Sequence, residues 1–246
     1  MGLPEGVTLQ HLSVKYRTVE ALQDVSLTVP PGRLVGIFGP NGAGKSTLIK
    51  AMLGLIPARG QVLYNKDGNV RPLIDQLDQV AYVPQRSQID WTYPATVWDV
   101  VLMGRTRRTG FFRRFSASSK RTALVALERV GMAELHDRPI GQLSGGQQQR
   151  VFLARAIAQE ASIFCLDEPF TGIDQKTQDT IFQILRELAD AGNVVMVVNH
   201  DLGESIQHFD DILLLNRSVV AYGDRTQVLT QENLYQTYGG RVLVAA

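Results

Sequence analysis

Apolar residues in the first part of the chain fall largely at alternate positions. In VTLQHLSVKY (7–16) and ALQDVSLTV (21–29) this two-residue period predicts half-buried strands, with PPG (30–32) as the turn after them. RLVGIF (33–38) reads as a buried strand leading into a glycine-rich loop. The period then changes, and Leu48, Ile49, Met52, Leu53 and Ile56 share one face of a helix. GQVLYN (60–65) and QVAYVPQ (79–85) predict further strands. Residues 86–142 differ in texture: VWDVVLMGR and SKRTALVALERVGM are helical in period, TRRTGFFRRFSASS separates them, and no strand is expected. The segment therefore reads as an inserted helical subdomain. After it, helix 147–160, strand 162–167, helix 175–191, strand 194–199, helix 201–209 and strand 211–215 alternate, and SVVAYGD (218–224) forms one arm of a hairpin. Buried strands alternating with helices predict an α/β fold with a mostly parallel sheet and helices on both faces. The expectation is one domain over 1–246, with the helical insertion at about 86–142.

Composition narrows the class. A chain of 246 residues with 44% hydrophobic and 20% charged side chains has the makeup of a folded globular protein and not of a disordered one. The net charge of +1 gives no general affinity for nucleic acid, so none is expected as a partner. The single cysteine, Cys165, has no internal disulfide partner, which suits a reducing cytosol, and its place in mid-strand predicts core packing. MGLPEGVTLQ has neither a basic nor an apolar leader pattern, and Gly6 breaks the myristoylation motif. The longest apolar runs, such as VVMVV (194–198), are far short of the roughly 20 residues that span a bilayer. If the protein works at a membrane, another chain supplies the span.

The glycine-rich loop carries the clearest chemistry. Gly39, Pro40, Asn41, Gly42, Ala43, Gly44, Lys45 and Ser46 satisfy G-x-x-x-x-G-K-[ST] between a predicted strand and a predicted helix, and Thr47 follows. Glycines let successive N–H groups turn toward phosphate oxygens, and the helix N-terminus adds partial positive charge. Lys45 would reach the β- and γ-phosphates and Ser46 would ligate Mg²⁺. In SIFCLDEP (162–169) an apolar strand ends in Asp167, fit to hold Mg²⁺ through water, and Glu168, placed to activate an attacking water. Losing such a base costs about 10²–10⁴-fold in rate. His200 ends another strand, where ligands of such sheets bind, and is either a γ-phosphate contact or a structural histidine. His11, His136 and His208 form no metal-ligand spacing with it or with each other.

Six motifs in order, GPNGAGKST, Gln85 in YVPQ, LSGGQQQR (143–150), CLDEP, TGID and VNHDL, resemble the ATP-binding cassette (ABC) ATPases along nearly the whole chain. The resemblance implies a P-loop NTPase core with an antiparallel β subdomain and an inserted helical subdomain, and ATP with Mg²⁺ as cofactors. It implies that Tyr16 stacks on adenine and that Gln85 contacts Mg²⁺ and the attacking water. Asp174 would work across a dimer interface, and His200 would be the switch histidine. The signature residues Ser144, Gly145, Gly146 and Gln147 would hold the γ-phosphate of ATP bound to a second copy, making a head-to-tail dimer with two sandwiched ATP molecules.

A lone cassette without a membrane span resembles the separate ATPase subunit of a bacterial importer. It would sit on the cytoplasmic face of the inner membrane, peripherally, with its permease on another chain and a solute-binding protein as indirect partner. VPQRSQIDWTYPATVWDVVLMGR (83–105) and DEPFTGID resemble the ATPase subunits of manganese, zinc and iron importers. Trp91, Tyr93 and Trp98 suit either a permease interface or the insertion's own core. RTRRTGFFRRF (105–115) suits either lipid headgroups and the permease or a solvated surface. Two other classes stay open at this level: a soluble ABC ATPase with no permease, such as one serving iron–sulfur assembly, and a nucleotide-binding module without turnover. The set Lys45, Asp167, Glu168 and His200 argues against the second.

Overall fold

The computed structural model describes residues 2–110, 113–200 and 202–240. In chain order the elements are β1 (Gly6–Tyr16), β2 (Val19–Val29), β3 (Leu34–Phe38), α1 (Lys45–Met52), β4 (Arg59–Lys66), β5 (Asn69–Pro72) and β6 (Val80–Val83). There follow α2 (Val97–Met103), α3 (Thr106–Thr109), α4 (Ala117–Arg129), α5 (Gly145–Ala158), β7 (Ile163–Asp167) and α6 (Gln175–Asp190). The chain continues with β8 (Val194–Val198), β9 (Asp211–Asn216), β10 (Ser218–Asp224), α7 (Arg225–Val228) and α8 (Gln231–Tyr238). These form two compact units, residues 1–77 with 188–246, and residues 78–187.

The first unit holds an antiparallel sheet of order β2-β1-β4-β5. Val7 faces Val29 on one side and Tyr64 on the other, all three buried, so the alternation in β1 packs one face. Strands β8 and β9 pair parallel with β3 along its two edges, from Leu34↔Val195 and from Val35↔Asp211, and β10 closes the edge as an antiparallel hairpin with β9. Every residue of β3 and β8 is buried, as a strand covered on both faces requires.

In the second unit β6 and β7 pair parallel from Val80↔Ile163 to Val83↔Leu166. Helices α2, α4 and α5 pack on one another, with Val101, Leu127 and Val151 fully buried. No strand lies among the described residues of 86–142, as the sequence predicts. Arg105 is buried and donates to the carbonyl of Ala158 (2.7 Å) and to Glu160 (2.6 Å), while Arg108 pairs with the same carboxylate at 3.1 Å. Two arginines of the basic stretch 105–115 are thus tied to the C-terminal end of α5. Phe111 and Phe112 of that stretch lie outside the described residues.

Besides the unpredicted short helices α7 and α8, three details differ from the sequence reading. The predicted helix 201–209 is a five-residue 3₁₀ turn, Glu204–His208, because Phe209 must extend into the core and meet Phe38 edge-on at 5.5 Å (Asp201 lies outside the described residues). Helix α1 ends at Met52, since Gly54 takes φ +67, so Ile56 follows the helix and does not share its face. Strand β5 went unpredicted, as its four residues are all exposed and carry no alternation.

Candidate nucleotide-phosphate and catalytic residues

In the first unit the glycine loop leaves β3 and enters α1. Its path is fixed by close backbone approach. A Cβ on Gly39 would lie 2.0 Å from the Leu215 carbonyl oxygen, and one on Gly44 would lie 2.6 Å from that of Ala21. Gly44 also takes φ +97, a conformation that costs other residues about 1–2 kcal/mol. The loop is further held by the Arg217 N–H, which donates to the Ala43 carbonyl at 2.8 Å. Lys45 is buried, and its ammonium donates to the carbonyls of Gly39 (2.7 Å) and Pro40 (3.1 Å), inside the turn of the loop. Helices α2, α4, α5 and α8 begin with a Thr or Ser side chain closing the first turn; α1 begins with Gly44 and has no such cap. Its leading N–H groups therefore depend on something other than a capping side chain, which is the arrangement an anion exploits.

The same unit positions His200 and Tyr16. The Asn199 N–H donates to the Ile37 carbonyl (3.0 Å), so the end of β8 is pinned beside the start of the glycine loop. Buried Asn199 accepts from the His200 N–H at 2.8 Å and donates to Ser205 at 3.1 Å, which leaves the His200 side chain exposed at that sheet edge. Sequence reasoning passed over Asn199; no local pattern distinguishes it from a solvated polar residue. Tyr16 ends β1 with 47% of its surface exposed.

In the second unit Asp167 closes β7 and is fully buried. Burial, and after it the charge of Asp167, holds the neighbouring Tyr82 hydroxyl well above the usual tyrosine range. Glu168 takes φ +50, in the left-handed region that a residue with a side chain seldom adopts. That bend turns the chain out of the strand, and Glu168 Oε2 accepts from Gln85 Nε2 at 2.7 Å. Two residues 83 positions apart in sequence thus meet at one carboxylate. Cys165 lies at the centre of the strand with no exposed surface, and desolvation pushes its thiol up to about 12.

The signature segment begins α5. Ser144 Oγ accepts from the Gln147 N–H (3.3 Å), and Gln147 Oε1 accepts from the Ser144 N–H (2.9 Å), a reciprocal cap written in the S-x-x-Q spacing. Ser144 stays exposed, while a Cβ on Gly146 would crowd Thr177 at 3.2 Å. Asp174 accepts from both the N–H (3.0 Å) and the hydroxyl (2.8 Å) of Thr177, and these bonds hold its carboxyl below the usual range. Within one chain, therefore, Asp174 caps the first turn of α6.

A mixed β-α-β unit in which a capless helix follows G-x-x-x-x-G-K-S, joined in sequence to an acidic strand end, defines a P-loop nucleotide-binding protein. The family ABC transporter matches residues 22–171. The chain is 50% identical to the manganese transport system ATP-binding protein MntB of Bacillus subtilis, covering 96% of this chain and 93% of that protein. It is 46% identical to the zinc transport system ATP-binding protein TroB of Treponema pallidum, covering 96% and 88%. Among solved structures, an ATP-binding cassette of an ABC transporter superposes with a TM-score of 0.82 at 25% identity, over 97% of this chain and all of that one. A bacterial ABC transporter cassette solved as a dimer superposes at 0.75 with 26% identity, over 89% and 98%. This chain belongs to the ABC transporter family, as an ATP-hydrolysing cassette of it.

Proposed function

We propose that this chain is the ATPase subunit of an importer for manganese, zinc or a related metal, acting as a head-to-tail pair beneath a separate permease. The observation that carries the cargo is full-length similarity to ATP-binding proteins of manganese and zinc transport systems. The dimer is supported by the likeness to a cassette solved in that state. Among the described residues no helix is long and apolar enough to cross a membrane, so a permease would have to supply the span.

In this reading the N–H groups of Gly39–Lys45 and the buried Lys45 ammonium receive the phosphates, and Tyr16 offers its ring to adenine. Glu168 accepts the proton of the attacking water, and Gln85 orients that carboxylate through the 2.7 Å bond. His200 answers to the γ-phosphate. Ser46, Asp167 and Gln85 offer hydroxyl, carboxylate and amide oxygens, a hard donor set that suits Mg²⁺. That ion, when bound, would neutralise charge on the phosphates. Ser144, Gly145 and Gly146 would meet the γ-phosphate held by a second copy, and Asp174, besides capping α6, would lie at that interface.

The Trp91 side chain packs edge-on against Phe152 at 5.5 Å, and Trp98 against His136 at 6.4 Å, so both serve the unit's own packing. Tyr93 stays 60% exposed and lines a groove of about 190 Å³ with Ile89, Trp91, Met103 and Phe152. This apolar groove is our candidate for the permease contact. The test is co-expression with candidate permeases, followed by isolation of the membrane complex and measurement of metal-dependent transport and ATP turnover. A chain that stays out of every membrane complex yet hydrolyses ATP would replace this reading with the soluble ABC ATPase.

A further inference from the structure

Arg86, next to Gln85, has a set of contacts that the phosphate chemistry does not explain. Its Nε donates to Gln148 Oε1 at 3.0 Å, and Gln148 is buried with its own amide nitrogen donating to the Ile140 carbonyl at 3.2 Å. A Cβ on Gly145 would lie 3.4 Å from the Arg86 guanidinium carbon, so the side chain lies along the first turn of α5. The guanidinium also sits 5.6 Å from the centre of the Trp91 ring, whose Nε1 donates back to the Arg86 carbonyl at 3.1 Å. Trp91 in turn packs on Phe152 of α5 and forms a wall of the apolar groove.

Arg86 makes no ion pair among the described residues, and each of these partners is neutral. A cation beside a helix N-terminus is electrostatically unfavourable. Its placement there is offset by the bond to Gln148 and the aromatic face of Trp91. What the side chain supplies is thus a planar fork and a flat face, which lysine does not reproduce.

We propose that Arg86 is a positioning residue that ties three things together: the loop whose Gln85 holds Glu168, the signature turn of α5, and the Trp91 wall of the groove. It acts by fixing where Gln85 stands relative to Gly145, and takes no part in the proton transfer itself. A displacement of Trp91 at the groove therefore reaches the base and the signature turn through one side chain, and nucleotide closure at the signature reaches Trp91 by the same route. The inference rests on Glu168 as the base.

The experiment uses the full chain carrying Trp98→Phe, which leaves Trp91 as the sole tryptophan. ATP turnover and Trp91 emission are recorded with and without MgATP, for Arg86 and for Arg86→Met, Arg86→Lys and Gln148→Leu. We expect Arg86→Met to lower kcat about tenfold with KM for ATP within about twofold, and to abolish the MgATP-induced emission change. Arg86→Lys should behave like Arg86→Met. Gln148→Leu reads the tie from its other end, and the double variant should lose little more than either single one. A wild-type kcat in Arg86→Met, an emission change that survives, or additive losses in the double variant overturns the proposal. Glu168→Gln is measured in parallel. A wild-type rate there refutes the base assignment, whereas a slow Glu168→Gln beside an unaffected Arg86→Met refutes the tie alone.

Discussion

Replacing Glu168 by glutamine isolates the chemical step from the architecture around it. The side chains are nearly isosteric, and the introduced glutamine still offers an amide oxygen to Gln85 Nε2, which lies 2.7 Å from the native carboxylate. What disappears is the charge on the acceptor, which roughly halves the strength of that bond, and the capacity to take a proton from water. The left-handed backbone at φ +50 is borne equally by both residues, so its cost of about 1–2 kcal/mol cancels between them. Folding stability should therefore change by less than about 1 kcal/mol. The rate should fall about 10²–10⁴-fold, equivalent to roughly 3–5.5 kcal/mol of transition-state stabilisation. Nucleotide affinity should hold, since the glycine loop and Lys45 are untouched. Phosphate release at saturating MgATP measures the rate, and binding of a fluorescent ATP analogue measures affinity. Gel filtration with ATP should find a long-lived dimer, because closure is reached and hydrolysis is not. A variant that turns over within about threefold of wild type refutes Glu168 as the base.

Gly39→Ala would drive a methyl group to 2.0 Å from the Leu215 carbonyl oxygen, so the loop must shift. ATP affinity should drop at least about tenfold and thermal stability with it, by a cost of about 1–3 kcal/mol, as read by nucleotide titration and calorimetry. Ser144→Arg removes the cap of α5 at a cost of about 1 kcal/mol and sets a cation at the signature turn. It should still bind ATP as a monomer but fail to form the closed dimer, even when mixed with wild type; normal dimerisation and turnover would refute the trans assignment. Cys165 should not react with a thiol reagent at pH 8 in the native chain and should titrate one equivalent on unfolding. Its thiol is raised to about 12 in the fold, so the stability it adds is complete below its ordinary value of about 8.5 and is lost as pH climbs toward 12. Ready labelling of the native thiol would contradict its burial.

The parts that the sequence by itself determined are those written in contiguous residues. The glycine loop is eight consecutive positions whose chemistry follows from residue type, and the buried strands at 34–38, 163–167 and 194–198 follow from unbroken apolar runs. The cap of α5 is also local, since serine and glutamine three apart satisfy each other wherever a helix starts. Elements without such a local signal escaped: β5 is wholly exposed, α7 is a single four-residue turn, and α8 buries one apolar side chain, Leu234, which makes no period. Only the tertiary structure decided that Gln85 meets Glu168, that Arg86 lies between Gln148 and Trp91, and that Arg105 is buried against Glu160 and not displayed with its basic neighbours. Each of these joins residues 5 to 83 positions apart. A hydrogen bond or ring contact depends on where two backbones are brought together, and no period along one chain segment carries that information. LSGGQQQR illustrates both halves. Its residues dictate a capped helix start, while the guanidinium of Arg86 beside Gly145 comes from the way β6 and α5 are packed.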